Sequence, residues 1–291
     1  MDIFTYLDLH PVIYLIYVTT LGLLVGSFLN VVILRLPIML ERQWRSECSA
    51  FMNDATIPTD GETFNLLTPS SHCPKCHHKI RAWENIPILS YLLLRGRCAG
   101  CTTQIPKRYP VTEFLSGALS FMVAWHFDPG WAMVAALLLT WALITLSIID
   151  IDHQILPDNI TLPFLWIGLS LSLFGVFTDS HSAIIGALIG YLSLWSIFHL
   201  FKLLTGKEGM GYGDFKLLAL LGAWLGWQHL LTIILLSSMV GAIIGIGMIV
   251  FRGHNRSIPI PFGPYLAIAG WIALLWKDDL MQFYLVWMGI N

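Results

Sequence analysis

Five uncharged, apolar stretches of spanning length constrain this chain more than any other feature: 11–34, 129–149, 159–178, 180–201 and 257–276. A helix that crosses a bilayer needs about 20 apolar residues, because lipid leaves no partner for an unpaired backbone group. The stretch 217–251 is too long for one straight span and is interrupted by "GAWLGWQH", so it reads as two helices joined at a glycine turn. Residues 109–127 carry Glu113 near their start and are otherwise apolar. These patterns predict an all-α polytopic membrane protein with about eight spans. With 56% hydrophobic and 12% charged residues, the chain is too apolar for a soluble domain. Its net charge of −2 gives no footing for a nucleic-acid partner.

Charge placement predicts orientation. The opening "MDIFTYLDLH" holds two Asp and neither Lys nor Arg, unlike a secretory signal. Ten of the sixteen Lys and Arg lie between Arg35 and Arg108, and positive loops stay cytoplasmic. The N-terminus is therefore expected outside, with 37–108 as a cytoplasmic insert. Alternating spans place 150–158, 202–216 and 252–256 on the same cytoplasmic side and Lys277 on the other. The expected organisation is a first region and helix over 1–36, the insert over 37–108, and a membrane domain over 109–291. Within the insert, the polar residues 41–72 read as a surface loop or irregular subdomain.

The insert carries "CPKC" and "CAGC", that is Cys73/Cys76 and Cys98/Cys101, with 21 residues between the pairs. Each tight Cys-x-x-Cys turn presents two thiolates, and two turns close a tetrahedral sulfur site of the zinc-ribbon kind. In so small a module, zinc would supply much of the folding energy. The same pairs would suit a redox dithiol, but reduced thiols and a metal fit a cytoplasmic setting better. His72, His77 and His78 read as surface histidines, and Cys48 as a free thiol.

Two acid clusters stand where apolar helices meet water. "DIDHQILPD" holds Asp150, Asp152 and Asp158, and "GMGYGDFKLLA" holds Asp214, 64 positions after Asp150. Two close carboxylates sharing one proton can hydrolyse a peptide: the ionised one takes a proton from attacking water and the other polarises the carbonyl. Gly211 and Gly213 would let an extended substrate lie against the backbone beside Asp214. The competing structural reading makes Asp214 the N-cap of the next helix. Asp158, between Pro157 and "NITLPFLWIG", reads as the N-cap of the fourth span. Asp152 and His153 are expected in solvent.

"GSFLNVVILRLP" (Gly26–Pro37), the two cysteine pairs, "RYPVTE" (Arg108–Glu113), "DIDHQILPD" and "GYGDFKLLALLGAWLG" follow one another across most of the chain. In that order they resemble the bacterial type IV prepilin leader peptidases. The resemblance implies that Asp150 and Asp214 form the catalytic pair. It also implies that the leader of prepilins and pseudopilins is cut on the cytoplasmic side of the inner membrane. N-methylation of the new terminus with S-adenosylmethionine is implied too, since the cysteine-bearing insert marks the bifunctional branch. No glycine-rich nucleotide fingerprint is visible, so the cofactor site has no assigned residues. Two other readings are a membrane thiol oxidoreductase, which leaves both aspartate motifs unexplained, and an ion-coupled transporter, which would place its acids at mid-span.

Overall fold

The computed structural model describes residues 3–52, 64–207, 209–252 and 261–287. Among them the regular structure is helical, with two isolated antiparallel bridges and no strand. Ten α-helices follow in order: α1 Ile3–Leu9, α2 Pro11–Met52, α3 Leu89–Leu93, α4 Arg108–His126, α5 Trp131–His153, α6 Asp158–Ser172, α7 Ser180–Thr205, α8 Tyr212–Leu225, α9 Leu230–Arg252 and α10 Gly263–Trp287. Among the described residues, four segments are long and apolar enough to cross a membrane: Pro11–Met52, Trp131–His153, Ser180–Thr205 and Trp227–Gly247. The chain divides into two compact units, Met1–Met133 and Val134–Asn291.

In the first unit α2 packs along α4. A Cβ on Gly26 would lie 2.8 Å from Glu113 Cα, so only glycine permits this approach. Ser116 Oγ donates to Gly22 O at 2.6 Å, and Asn30 Nδ2 donates to Tyr109 O at 3.2 Å. Thus "GSFLN" and "RYPVTE" are two sides of one helix contact. Helix α2 does not stop where the apolar run ends. It continues past Pro37 to Met52, so 41–52 is helix rather than the irregular loop expected from its polarity. Neighbouring turns are tied by Arg45 to Glu41 at 2.6 Å and Gln43 to Glu47 at 2.8 Å, the i,i+4 spacing that steadies an exposed helix. The remainder of the expected loop is described only from Phe64 onward, and 53–63 lie outside the described residues. Arg35 gathers that returning segment, donating to Asn65 O at 2.9 Å and Pro69 O at 2.6 Å.

In the second unit α8 is the central helix. Every residue from Asp214 to Leu225 except Lys216 is buried, the pattern of a helix surrounded by others. Its 14 residues span about 21 Å, short of a hydrocarbon core of about 30 Å. Gly226, with φ of 85°, ends it, and a 3₁₀ turn at Trp227–His229 leads into α9, as the glycine turn in the sequence predicts. Helix α7 crosses α8 at Gly190, where a Cβ would come within 2.7 Å of Leu218 O. Trp224 Nε1 donates to Phe164 O at 2.7 Å, joining α8 to α6, and Trp271 Nε1 donates to Thr140 Oγ1 at 3.0 Å, joining α10 to α5. Each of these bonds satisfies an indole N–H that would otherwise be buried alone. At one end of this unit Lys277 Nζ donates to Phe177 O at 2.8 Å. The last helix begins at Gly263, and the first four residues of the 257–276 stretch lie outside the described residues.

Candidate active site and metal centre

Asp150 lies in the last turn of α5 and Asp214 in the first turn of α8, each only 6% exposed. The fold brings them together closely enough for the charge of Asp150 to act on Asp214. Buried acids are uncommon unless paired or functional. Asp150 Oδ2 accepts the N–H of Gly263, the first residue of α10, at 3.1 Å. Three helix ends therefore meet at this point.

The N-cap of α8 is Gly211, so Asp214 is not a cap. The cap reading fails because the carboxyl is turned into the protein, two positions past the first helical residue. Aromatic packing fixes that start: the Phe215 ring lies 5.6 Å from Phe198, 5.9 Å from Tyr191 and 5.4 Å from Tyr212. Such pairs add about 0.5–1.5 kcal/mol each beyond their buried area.

Gly211 and Gly213 serve through space rather than unusual backbone angles. Gly211 has φ of −85° and neither glycine is among the positive-φ residues. A Cβ on Gly213 would meet Leu156 Cβ at 2.8 Å, and one on Gly263 would meet Leu156 Cδ1 at 3.2 Å. Leu156, in the loop between α5 and α6, thus packs against both helix starts that adjoin the acids. Gly211 faces open space: a Cβ there would have Gly213 N, 3.9 Å away, as its nearest neighbour.

Asp158 does not cap the fourth span either. Pro157 holds the N-cap position without a side-chain bond, and Asp158 pairs with Lys216 at 2.7 Å through both oxygens. The carboxylate finds a cation on α8 in preference to the N–H groups of its own helix. This pair is half exposed, so its strength is at most about 1 kcal/mol. Asp158→Asn or Lys216→Gln is expected to lower stability by less than about 1 kcal/mol and to leave turnover within about 3-fold of wild type. Thermal unfolding in detergent and a peptidase assay check both numbers. Asp152 and His153 are exposed, as expected.

The cysteine module lies in the first unit. Cys73, Cys76, Cys98 and Cys101 offer sulfur atoms that all lie within 4.8 Å of one another. Cys73 Sγ is 3.8 Å from Cys101 Sγ, and Cys76 Sγ is 3.9 Å from Cys98 Sγ. Four sulfurs at about 2.3 Å from a tetrahedral ion stand about 3.8 Å apart, so the set fits a metal. The two knuckles are built alike. In each, a backbone ring closes on the first cysteine (Cys73 N to His78 O at 3.0 Å, Cys98 N to Thr103 O at 2.8 Å). Each then turns through a left-handed residue, His77 at φ 55° and Thr102 at φ 56°. The N–H groups of Cys76 and Lys75 hold the Cys73 thiol below its ordinary range, and the Thr103 hydroxyl and N–H hold Cys101 down to about 6. Both favour the thiolate that binds metal, whereas burial and the three neighbouring thiols push Cys76 up to about 12, the repulsion expected of sulfurs gathered this closely.

The histidines have other partners. His78 Nε2 lies 3.1 Å from Glu84 Oε2, His72 Nδ1 lies 2.9 Å from Ser70 O, and His72 and His77 stack at 5.5 Å. Cys48 is an exposed free thiol on α2, apart from the cluster. One link escaped the sequence reading: buried Glu113 of α4 accepts the N–H of Ile88 at 2.8 Å, anchoring the insert to the start of α4. An acid near the start of an apolar helix was the available signal.

The chain is similar to known proteins over most of its length. Residues 20–127 match the model of the bacterial peptidase A24 N-terminal domain, and residues 137–246 match the type IV leader peptidase family. A protein of Aeromonas salmonicida named prepilin leader peptidase/N-methyltransferase is 59% identical over 276 residues, covering 94% of this chain and 95% of its own. Proteins of the same name from Pseudomonas aeruginosa and Neisseria gonorrhoeae are 55% identical over 291 residues and 49% identical over 271. The first of these covers 100% of both chains, the second 93% of this chain and 91% of its own. No solved structure matches. At this identity over almost the whole length, the chain belongs to the type IV leader peptidase family.

Proposed function

We propose that this chain removes the leader peptide of type IV prepilins and pseudopilins and then N-methylates the exposed terminus. The observation that carries the peptidase reading is the meeting of Asp150 and Asp214, 64 residues apart, as buried neighbours at adjoining helix ends. One carboxylate, ionised, takes a proton from water as the oxygen attacks the scissile carbonyl. The other, protonated, donates a hydrogen bond to the carbonyl oxygen. When the tetrahedral intermediate collapses, the C–N bond breaks and the departing amine receives a proton. Gly211 leaves the backbone near Asp214 open to an extended substrate, while Gly213 admits Leu156 against the start of α8.

Eight helices, α2 and α4 to α10, serve as the spans, with α8 crossing as part of a buried bundle rather than alone. The N-terminus lies outside the bacterial inner membrane and the dyad faces the cytoplasm, with lipid around the helices. Support comes from the second unit: Asp150, Leu156, Gly213 and Gly263 gather at one end, while Lys277 pairs at the other with Phe177, in the α6–α7 connection. The four-cysteine module holds structural zinc. The four sulfurs gather in one cluster, with contacts of 3.8 and 3.9 Å running across the two turns, which favours one shared metal over two separate dithiols. The transporter reading is disfavoured because both acids sit at helix ends.

S-adenosylmethionine, when bound, supplies an electrophilic methyl group to the unprotonated terminal amine. None of this chain's residues is assigned to hold it. Methyl transfer needs a free amine and a bound cofactor, not a carboxyl pair, so Asp214→Asn is expected to methylate a pre-cleaved peptide at a rate within about 3-fold of wild type. Transfer of labelled methyl to a synthetic mature N-terminus measures this. Loss of transfer in folded Asp214→Asn would place both reactions in one site. The overall reading is tested by co-expression with a prepilin and analysis of the product's N-terminus and mass. An uncut leader would overturn the peptidase assignment, and a cut but unmethylated terminus the methyltransferase assignment.

A further inference from the structure

We infer that Gly263, at the start of α10, is a positioning residue for Asp150. The inference rests on the dyad reading above. Two independent features of the site point to it. The Gly263 N–H donates to Asp150 Oδ2 at 3.1 Å. A Cβ at the same residue would stand 2.6 Å from that oxygen, closer than real side chains approach. The residue thus gives a donor where the carboxylate needs one and omits a side chain where the carboxylate sits. Gly263 opens the helix that runs to the kink at Trp276, and its first N–H groups have no partner within the helix. The bond satisfies one of them and fixes one oxygen of Asp150, leaving the other for water or substrate.

The part of α10 that begins at Gly263 is also held independently of Asp150, by Trp271 Nε1 on Thr140 Oγ1, and the part beyond the kink at Trp276 by Lys277 Nζ on Phe177 O. A change at Gly263 therefore alters the site without releasing the helix. The sharpest probe replaces the glycine by glycolic acid through stop-codon suppression in the full chain. The resulting backbone ester keeps the shape and deletes the N–H. With purified prepilin as substrate, the ester is expected to lower kcat at least about 10-fold while KM stays within about 3-fold. Gly263→Ala is expected to lose more, about 100-fold, since its methyl also displaces the carboxylate. Gly247→Ala, where nothing lies within 4 Å, should keep the wild-type rate. If Gly263→Ala does not fold, as judged by melting in detergent, the ester decides alone. An ester whose kcat is within about 2-fold of wild type overturns the inference, as does a loss confined to KM. Asp150→Asn and Asp214→Asn are assayed alongside. If both are inactive while the ester is fully active, only the positioning inference falls. If either still cleaves, the dyad reading falls and Gly263 falls with it.

Discussion

Asp150→Asn or Asp214→Asn is expected to reduce leader removal by at least about 100-fold, and toward 10,000-fold, while the protein still inserts and melts as wild type. Asparagine keeps the shape and can still accept the Gly263 N–H, so packing at the three helix ends survives. It carries neither the negative charge that takes a proton from water nor the acidic proton that is donated. Asp152→Asn, two residues on and exposed, is expected to keep activity within about 3-fold of wild type. Cleavage rates on purified prepilin with the three variants side by side settle which acids act. Full activity in Asp150→Asn with loss in Asp152→Asn would move the site outward along α5.

Serine at Cys73, Cys76, Cys98 or Cys101 is expected to abolish zinc binding and unfold the knuckles. Structural zinc sites of this type contribute about 10–16 kcal/mol of apparent binding energy, which in a small module is most of its folding energy. Wild-type protein should contain about one zinc per chain with sulfur at about 2.3 Å, measured by metal analysis and X-ray absorption. Cys48→Ser should change neither value, because its thiol lies apart on α2. If methyl transfer depends on the insert, it is expected to fall more than cleavage in the knuckle variants, since the second unit contains both aspartates. Metal-free wild-type protein with disulfides at both pairs would restore the oxidoreductase reading.

Much of the fold and of both sites is legible in the order of residues alone. Apolar runs announce helices because lipid and core alike exclude unpaired backbone. Two Cys-x-x-Cys turns announce a closed sulfur site because local geometry alone presents each thiol pair. The glycine turn after Leu225 is legible for the same reason, a local one. Where local chemistry competes with partners elsewhere, the sequence misleads. Residues 41–52 look like a loop by polarity, yet i,i+4 pairs carry α2 onward to Met52. Asp158 and Asp214 look like helix caps, because Asp near a helix start after Pro or Gly usually is one. The first instead meets Lys216, and the second turns inward beside Asp150.

The residue types, their helices and the two chemistries on offer, sulfur ligation and paired carboxylates, were determined by the sequence alone. The resemblance implied which acids pair, but how they are brought together was decided only by the tertiary structure. Periodicity says that a helix has a buried face but not which helix covers it, and the partners here are 64 to 113 residues apart. Gly263 shows this most clearly. In the chain it is one glycine between Phe262 and Pro264, and it gains meaning only where the packing of α10 sets its N–H against Asp150.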